Sequence, residues 1–232
     1  MSDFSERLAA VRSRLEAATR RSGRAPQDVT LVAVTKTVET ERIREAMHAG
    51  QRVFGENRVQ EARRKMAEFP GAVWHLVGHL QRNKAREAAR FFQVIHSVDS
   101  VSLMRDVARH AVGREKPIEI LIQVNLAREE TKHGAQEGEL PEILAAAGDL
   151  ASMTVVGLMI LPPHDPDPER SRPYFRRLAE LAAKMDGGRF ANVSMRELSM
   201  GMSEDFEVAA EEGATLVRIG RALFGERPPR PA

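Results

Sequence analysis

Leu31-Val32-Ala33-Val34-Thr35-Lys36 decides the fold of this chain. Four apolar residues and a threonine in an unbroken run read as a strand buried on both faces, the kind found in parallel sheets covered by helices. Further short runs of this type lie at Arg52–Gly55, Val73–Val77, Val94–Val98 and Ile118–Val124. Three more follow at Val155–Met159, Glu197–Met200 and Leu216–Ile219. Between them lie stretches with apolar residues at helical spacing: Glu39–Ala49, Val59–Phe69, Asn83–Phe92, Ser100–Val112, Leu140–Asp149, Pro168–Met185 and Glu204–Glu212. A short helix is expected near Ala222. Each parallel crossover needs a helix, and eight βα units in about 200 residues is the count that closes a (β/α)8 barrel. An open doubly wound sheet is the alternative, because periodicity does not report closure.

Working outward, Phe4 to about Ser22 carries Leu8, Val11, Leu15 and Ala18 at helical spacing, and Gly23 and Pro26 stop it. The expected layout is one α/β domain over 1–232, with an extra N-terminal helix and linker over 1–29 and the barrel over 30–226. Pro162-Pro163-His164-Asp165-Pro166-Asp167-Pro168 is dense in proline and reads as a stiff βα loop, not a domain boundary.

The 35 basic and 33 acidic side chains leave a formal charge of +2 without any basic block, which argues against a nucleic-acid partner. No apolar stretch approaches the length of a membrane span, so no membrane partner is expected. With no cysteine the chain has no disulfide, thiolate metal site or cysteine nucleophile. A charged N-terminus without an apolar segment makes the cytoplasm the expected location.

In a barrel the site lies at the C-terminal ends of the strands. In order these ends carry Lys36, Glu56 and Asn57, Gly78 and His79, then Asn125 and Met159-Ile160. Ser199-Met200-Gly201 and Arg218 with Gly220-Arg221 complete the rim. Lys36 is one of only six lysines. A partly desolvated lysine loses some basicity, becomes a nucleophilic amine and forms imines with aldehydes; the plain alternative is a strand-end lysine snorkelling to water. The turns after strands seven and eight, where barrels bind phosphate, hold Gly201 and Gly220, with Ser199 as a hydroxyl donor and Ser203 as an N-cap. A ligand with both an aldehyde and a phosphate answers both ends of such a mouth. Pyridoxal 5'-phosphate is one, with Lys36 as its imine and Arg218 at the ring nitrogen. The histidines show no metal-ligand spacing, since His75 and His79 sit four apart on a strand and turn. His79 reads as a pocket-wall residue, and Trp74 and Tyr174 as packing residues.

Together with Leu31–Lys36, the segments Phe54-Gly55-Glu56-Asn57, Trp74 through Lys84, Gln123-Val124-Asn125, Lys132-His133-Gly134, Leu198 through Ser203 and Val217-Arg218-Ile219-Gly220 resemble the pyridoxal phosphate homeostasis proteins. These are single-barrel relatives of the alanine racemase N-terminal domain, and the resemblance runs to Phe224-Gly225-Glu226-Arg227. It implies a fold-type III barrel holding the cofactor as an aldimine on Lys36, with Arg218 at the pyridine nitrogen and Asn57 beside the ring. The phosphate is then expected on Ser199, the backbone near Met200 and the Gly220-Arg221 turn, with Lys132 near the mouth. Arg221 departs from the family, which usually has a small hydroxyl residue there. Its guanidinium is expected to compensate.

Racemisation needs two opposed bases, and in alanine racemases the second is a tyrosine from an added domain. The one tyrosine here, Tyr174, falls in a helix pattern away from the mouth. The expectation is a non-enzymatic monomer that stores, buffers or delivers pyridoxal phosphate, with apo pyridoxal phosphate enzymes as partners. A minimal racemase or other pyridoxal phosphate enzyme is the alternative, and an unrelated phosphate-binding barrel a third reading.

Overall fold

The computed structural model describes residues 3–127, 129, 132–186, 188 and 190–225. Glu226 and Arg227, the end of the expected barrel and of the resemblance, lie outside the described residues. Eight parallel strands close into a barrel in chain order: β1 (Thr30–Val34), β2 (Val53–Glu56), β3 (Val73–Leu76), β4 (Val94–Val98), β5 (Ile118–Val124), β6 (Met153–Ile160), β7 (Val193–Ser199) and β8 (Leu216–Ile219). The open-sheet alternative is thereby excluded, because β8 pairs with β1 and sets Arg218 opposite Val32. The helices are α1 (Asp3–Arg21), α2 (Thr40–His48), α3 (Val59–Glu68), α4 (Ala85–Phe91), α5 (Val101–Ala111), α6 (Leu140–Ala146), α7 (Arg172–Met185), α8 (Phe206–Glu211) and α9 (Arg221–Phe224).

Successive strand residues face opposite ways, which sorts the core into two layers. Val32, Val34, Val77, Leu121, Val156 and Met159 fill the barrel, whereas Leu31, Ala33, Phe54, Trp74 and Ile120 meet the helices outside. On α1 the expected stripe of Leu8, Val11, Leu15 and Ala18 is buried, and Phe4 extends it to pack 5.2 Å from Phe224. This helix packs against α8, α9 and α2, covering the place where the first and last strands meet. Among the described residues no helix is long and apolar enough to cross a membrane.

The largest departures from the sequence reading lie around β7. This strand starts four residues before Glu197, because Val193, Ser194 and Arg196 are partly or fully exposed and break the apolar pattern. Helix α8 starts two residues after Glu204. Asp205, not Ser203, holds the N-cap position, with no side-chain cap bond; its carboxylate instead accepts the Met202 N–H at 2.7 Å and the Ser171 hydroxyl at 2.9 Å. Ser203 Oγ instead accepts the Ala222 N–H at 3.2 Å, in the first turn of α9.

Candidate functional site

Lys36 stands two residues past β1, half-buried, on a turn tied down from below. Lys65 of α3 supplies most of the ties: its Nζ donates to Thr35 O at 2.6 Å and to Glu56 Oε1 and Glu61 Oε1 at 2.7 Å each. Thr35 Oγ1 also donates to Glu56 Oε1, at 2.6 Å. Glu56 is fully buried, and burial raises its carboxyl above the usual range against the pull of Lys65. Thr37, next to the lysine, takes a φ of 62°, where a β-branched residue is strained by about 1–3 kcal/mol. Its N–H donates to Glu61 Oε1 at 2.6 Å and its hydroxyl to Lys36 O at 2.6 Å, which holds the turn in that conformation.

Arg218 comes from β8 and lies inside the barrel, 4% exposed. Burial lowers its basicity to about 10, so it stays charged at neutral pH. Nη2 donates to Ile160 O at 2.8 Å and Nη1 to Ser199 Oγ at 2.6 Å. Ser199 Oγ is 2.8 Å from His96 Nδ1, and His96 Nε2 is 2.9 Å from His75 Nδ1. Burial pushes His75 down to about 4 and, with His75 and Arg218 nearby, pushes His96 well below the usual imidazole range. Both rings are therefore neutral near pH 7. Arginine can only donate, so Ser199 accepts from it. One proton is shared between Ser199 Oγ and His96 Nδ1 and another between His96 Nε2 and His75 Nδ1, with the tautomer of His96 setting which side donates in each. His75 lines a second cavity, of about 630 Å³, at the opposite end of the barrel.

Ser199 Oγ lies buried between Arg218 and His96 and holds the arginine. Met200 N–H donates to Leu216 O at 3.1 Å and its side chain is fully buried. Ser203, whose hydroxyl sequence reading assigned only to a helix cap, lines the cavity. Spacing gave no signal for this placement, because it depends on how sharply the chain turns at Gly201. There φ is 89°, and an added Cβ would lie 2.5 Å from Ala209 Cβ.

The mouth is a cavity of about 680 Å³, within the range of small-molecule sites. Lys36, Asn57, Arg218, Gly220 and Arg221 all line it, as do Gly78, His79, Lys132 and His133. A Cβ on Gly78 would collide with the Asn57 backbone, so glycine there lets the ends of β2 and β3 close up. Arg221 points its guanidinium to Glu204, which also faces His164 Nδ1 at 3.3 Å; the expected compensation at the phosphate competes with this ion pair. Lys132 Nζ donates to Glu129 Oε1 at 2.8 Å and Pro162 O at 3.2 Å. Trp74 is buried, and Tyr174 packs on the core from α7 without lining the cavity.

The donor set fits pyridoxal phosphate. Arg218 is buried and charged, makes no ion pair among the described residues, and has Asp205 as the one carboxylate whose charge acts on it. Its two hydrogen bonds to Ile160 O and Ser199 Oγ leave guanidinium N–H groups that a ring nitrogen or anion in the mouth can accept from. Lys36 lines the same cavity and offers the amine.

The alanine racemase N-terminal domain family matches residues 7–228. The pyridoxal phosphate homeostasis protein of Aquifex aeolicus is 43% identical over 224 residues, 96% of this chain and 97% of that protein. Its Escherichia coli counterpart is 39% identical over 232 residues, 98% of each. The chain belongs to the alanine racemase N-terminal domain family and, within it, to the pyridoxal phosphate homeostasis proteins. Among solved structures, PipY of Synechococcus elongatus with pyridoxal phosphate bound is 38% identical with a TM-score of 0.81, and the match covers 96% of this chain and 100% of that one.

Proposed function

We propose that this chain is a single-domain cytoplasmic carrier that binds pyridoxal 5'-phosphate and buffers or delivers it, without robust turnover of its own. One observation carries the reading: the half-buried lysine after β1 and the buried Arg218 of β8 line one cavity. Bound there, the cofactor supplies an aldehyde for the lysine amine and a pyridine ring that acts as an electron sink when its nitrogen is protonated. Lys36 would hold the cofactor through its amine, with the aldehyde oxygen leaving as water. Arg218 would donate to the ring nitrogen and, having no proton to give up, would leave that nitrogen unprotonated and the sink weaker. Asn57 would stand beside the ring, and Ser203 and the Gly220-Arg221 turn would receive the phosphate in place of the Ser199 hydroxyl. The names of the relatives, and the pyridoxal phosphate in PipY, support this reading.

The test is spectroscopic. Purified protein should absorb at roughly 420 nm, as a lysine-bound cofactor does, and Lys36→Ala should abolish the band. Borohydride should fix the cofactor on Lys36. A band that survives in Lys36→Ala would overturn the assignment.

A further inference from the structure

Three strand ends meet at one wall of the mouth, and each brings a metal-ligating side chain. His79 follows β3, Asp99 follows β4 and His133 sits in the loop after β5. One ligand atom from each lies within 4.8 Å of the other two. We propose that His79, Asp99 and His133 bind a divalent transition-metal ion of the zinc class at the rim of the cofactor cavity.

The two imidazoles stack with centroids 3.5 Å apart and planes 8° from parallel. Among the described residues none of the three side chains makes a hydrogen bond, so binding an ion breaks none. The backbone beneath His133 is fixed: Gln123 Nε2 donates to His133 O at 2.8 Å, and Ala135 N–H donates to Gln123 O at 2.8 Å. Gly134, at a φ of 136°, lets this loop lie against Asn125, where a Cβ would be 2.8 Å from its N. A tetrahedral ion with ligands at about 2.0–2.1 Å separates its ligand atoms by roughly 3.3 Å. Rotation of exposed imidazoles supplies that contraction. Two imidazoles and one carboxylate select zinc, cobalt or nickel over magnesium and calcium, which prefer oxygen donors. Three protein ligands leave a fourth position open, and His79 and His133 both line the cavity.

Titration of the tag-free full chain with Zn²⁺ alone tests the site. One equivalent should bind with a Kd of about micromolar or tighter, raising the melting temperature, and excess Mg²⁺ should not displace it. His79→Ala and His133→Ala should each weaken binding at least ~tenfold. Melting of each variant without zinc reports whether it folds. Asp99→Asn keeps the shape and removes the charge, so it gives an independent reading and should also weaken binding. No zinc binding by the wild type, or unchanged affinity in both Asp99→Asn and a folded histidine variant, would overturn the site.

Discussion

Arg218 Nη1 donates to Ser199 Oγ at 2.6 Å, and this contact between β8 and β7 heads a chain of hydrogen bonds that runs through His96 to His75. It also makes Ser199 a support for the arginine. Ser199→Ala leaves a guanidinium N–H and His96 Nδ1 without their partner in a buried place, at a cost of about 1–3 kcal/mol. The cofactor-free protein should therefore melt earlier, and the cofactor should be held less tightly. A variant with wild-type stability when empty, and a loss confined to phosphate affinity, would return Ser199 to the phosphate.

Lys65 is the buried lysine nearest the active turn in chemistry, yet it should not compete with Lys36. Its amine already donates to three oxygens. Peptide mapping after borohydride reduction should find the cofactor on Lys36 and none on Lys65. Lys65→Met should instead destabilise the fold by about 3–5 kcal/mol, because Glu56 is left buried without its cation. Denaturant unfolding measures it, and a loss below about 1 kcal/mol would mean that Glu56 is neutral in the fold.

Acid should weaken the barrel through its interior histidines. His75 is held to about 4, against ~6.5 in the unfolded chain. Between those values the unfolded chain binds the proton and the folded one does not, so stability rises with pH across this window and is lost as pH falls through it. One such group contributes about 3 kcal/mol, and the lowered His96 adds with the same sign. His75→Asn keeps a hydrogen-bonding group for His96 and removes the titration, so its stability profile between pH 4 and 6.5 should be flatter than that of the wild type. Identical profiles would show that His75 is not the buried titrating group.

Binding and catalysis separate in one further assay. Free pyridoxal phosphate racemises amino acids slowly, which sets the baseline. An unprotonated ring nitrogen should limit the protein to no more than roughly tenfold enhancement, about 1.4 kcal/mol of barrier. In the same preparation the protein should surrender cofactor to an apo enzyme. Enhancement by several orders of magnitude without transfer would favour the racemase alternative.

The fold was legible because buried parallel strands announce themselves as apolar runs, and β4 and β5 begin where Val94 and Ile118 suggest. Where strand residues are polar, as at Ser194 and Arg196, the run disappears and β7 looks half its length. The cavity wall was legible at Lys36, Asn57, Arg218, Gly220 and Arg221, since strand ends in a barrel share one rim. The burial of the Ser199 hydroxyl behind Arg218 was not, because alternation alone turns its side chain into the barrel while the neighbouring glycine suggests a loop. The meeting of His79, Asp99 and His133 was hidden for another reason. Their separation in sequence has no metal-site signature, and only the adjacency of β3, β4 and β5 brings them together.

The pairing of β1 with β8 has a mechanical consequence. It joins the two ends of the barrel sequence, and the barrel stays closed only while that seam holds. Lys36 stands on one side of the seam and Arg218 on the other, so a ligand gripped by both acts as a clasp between the earliest and latest strands. Loading should slow amide hydrogen exchange in β1 and β8 more than in β4 and β5, which lie across the barrel. The empty protein would then breathe first along the line where its cargo enters, and a carrier that loosens there can let go.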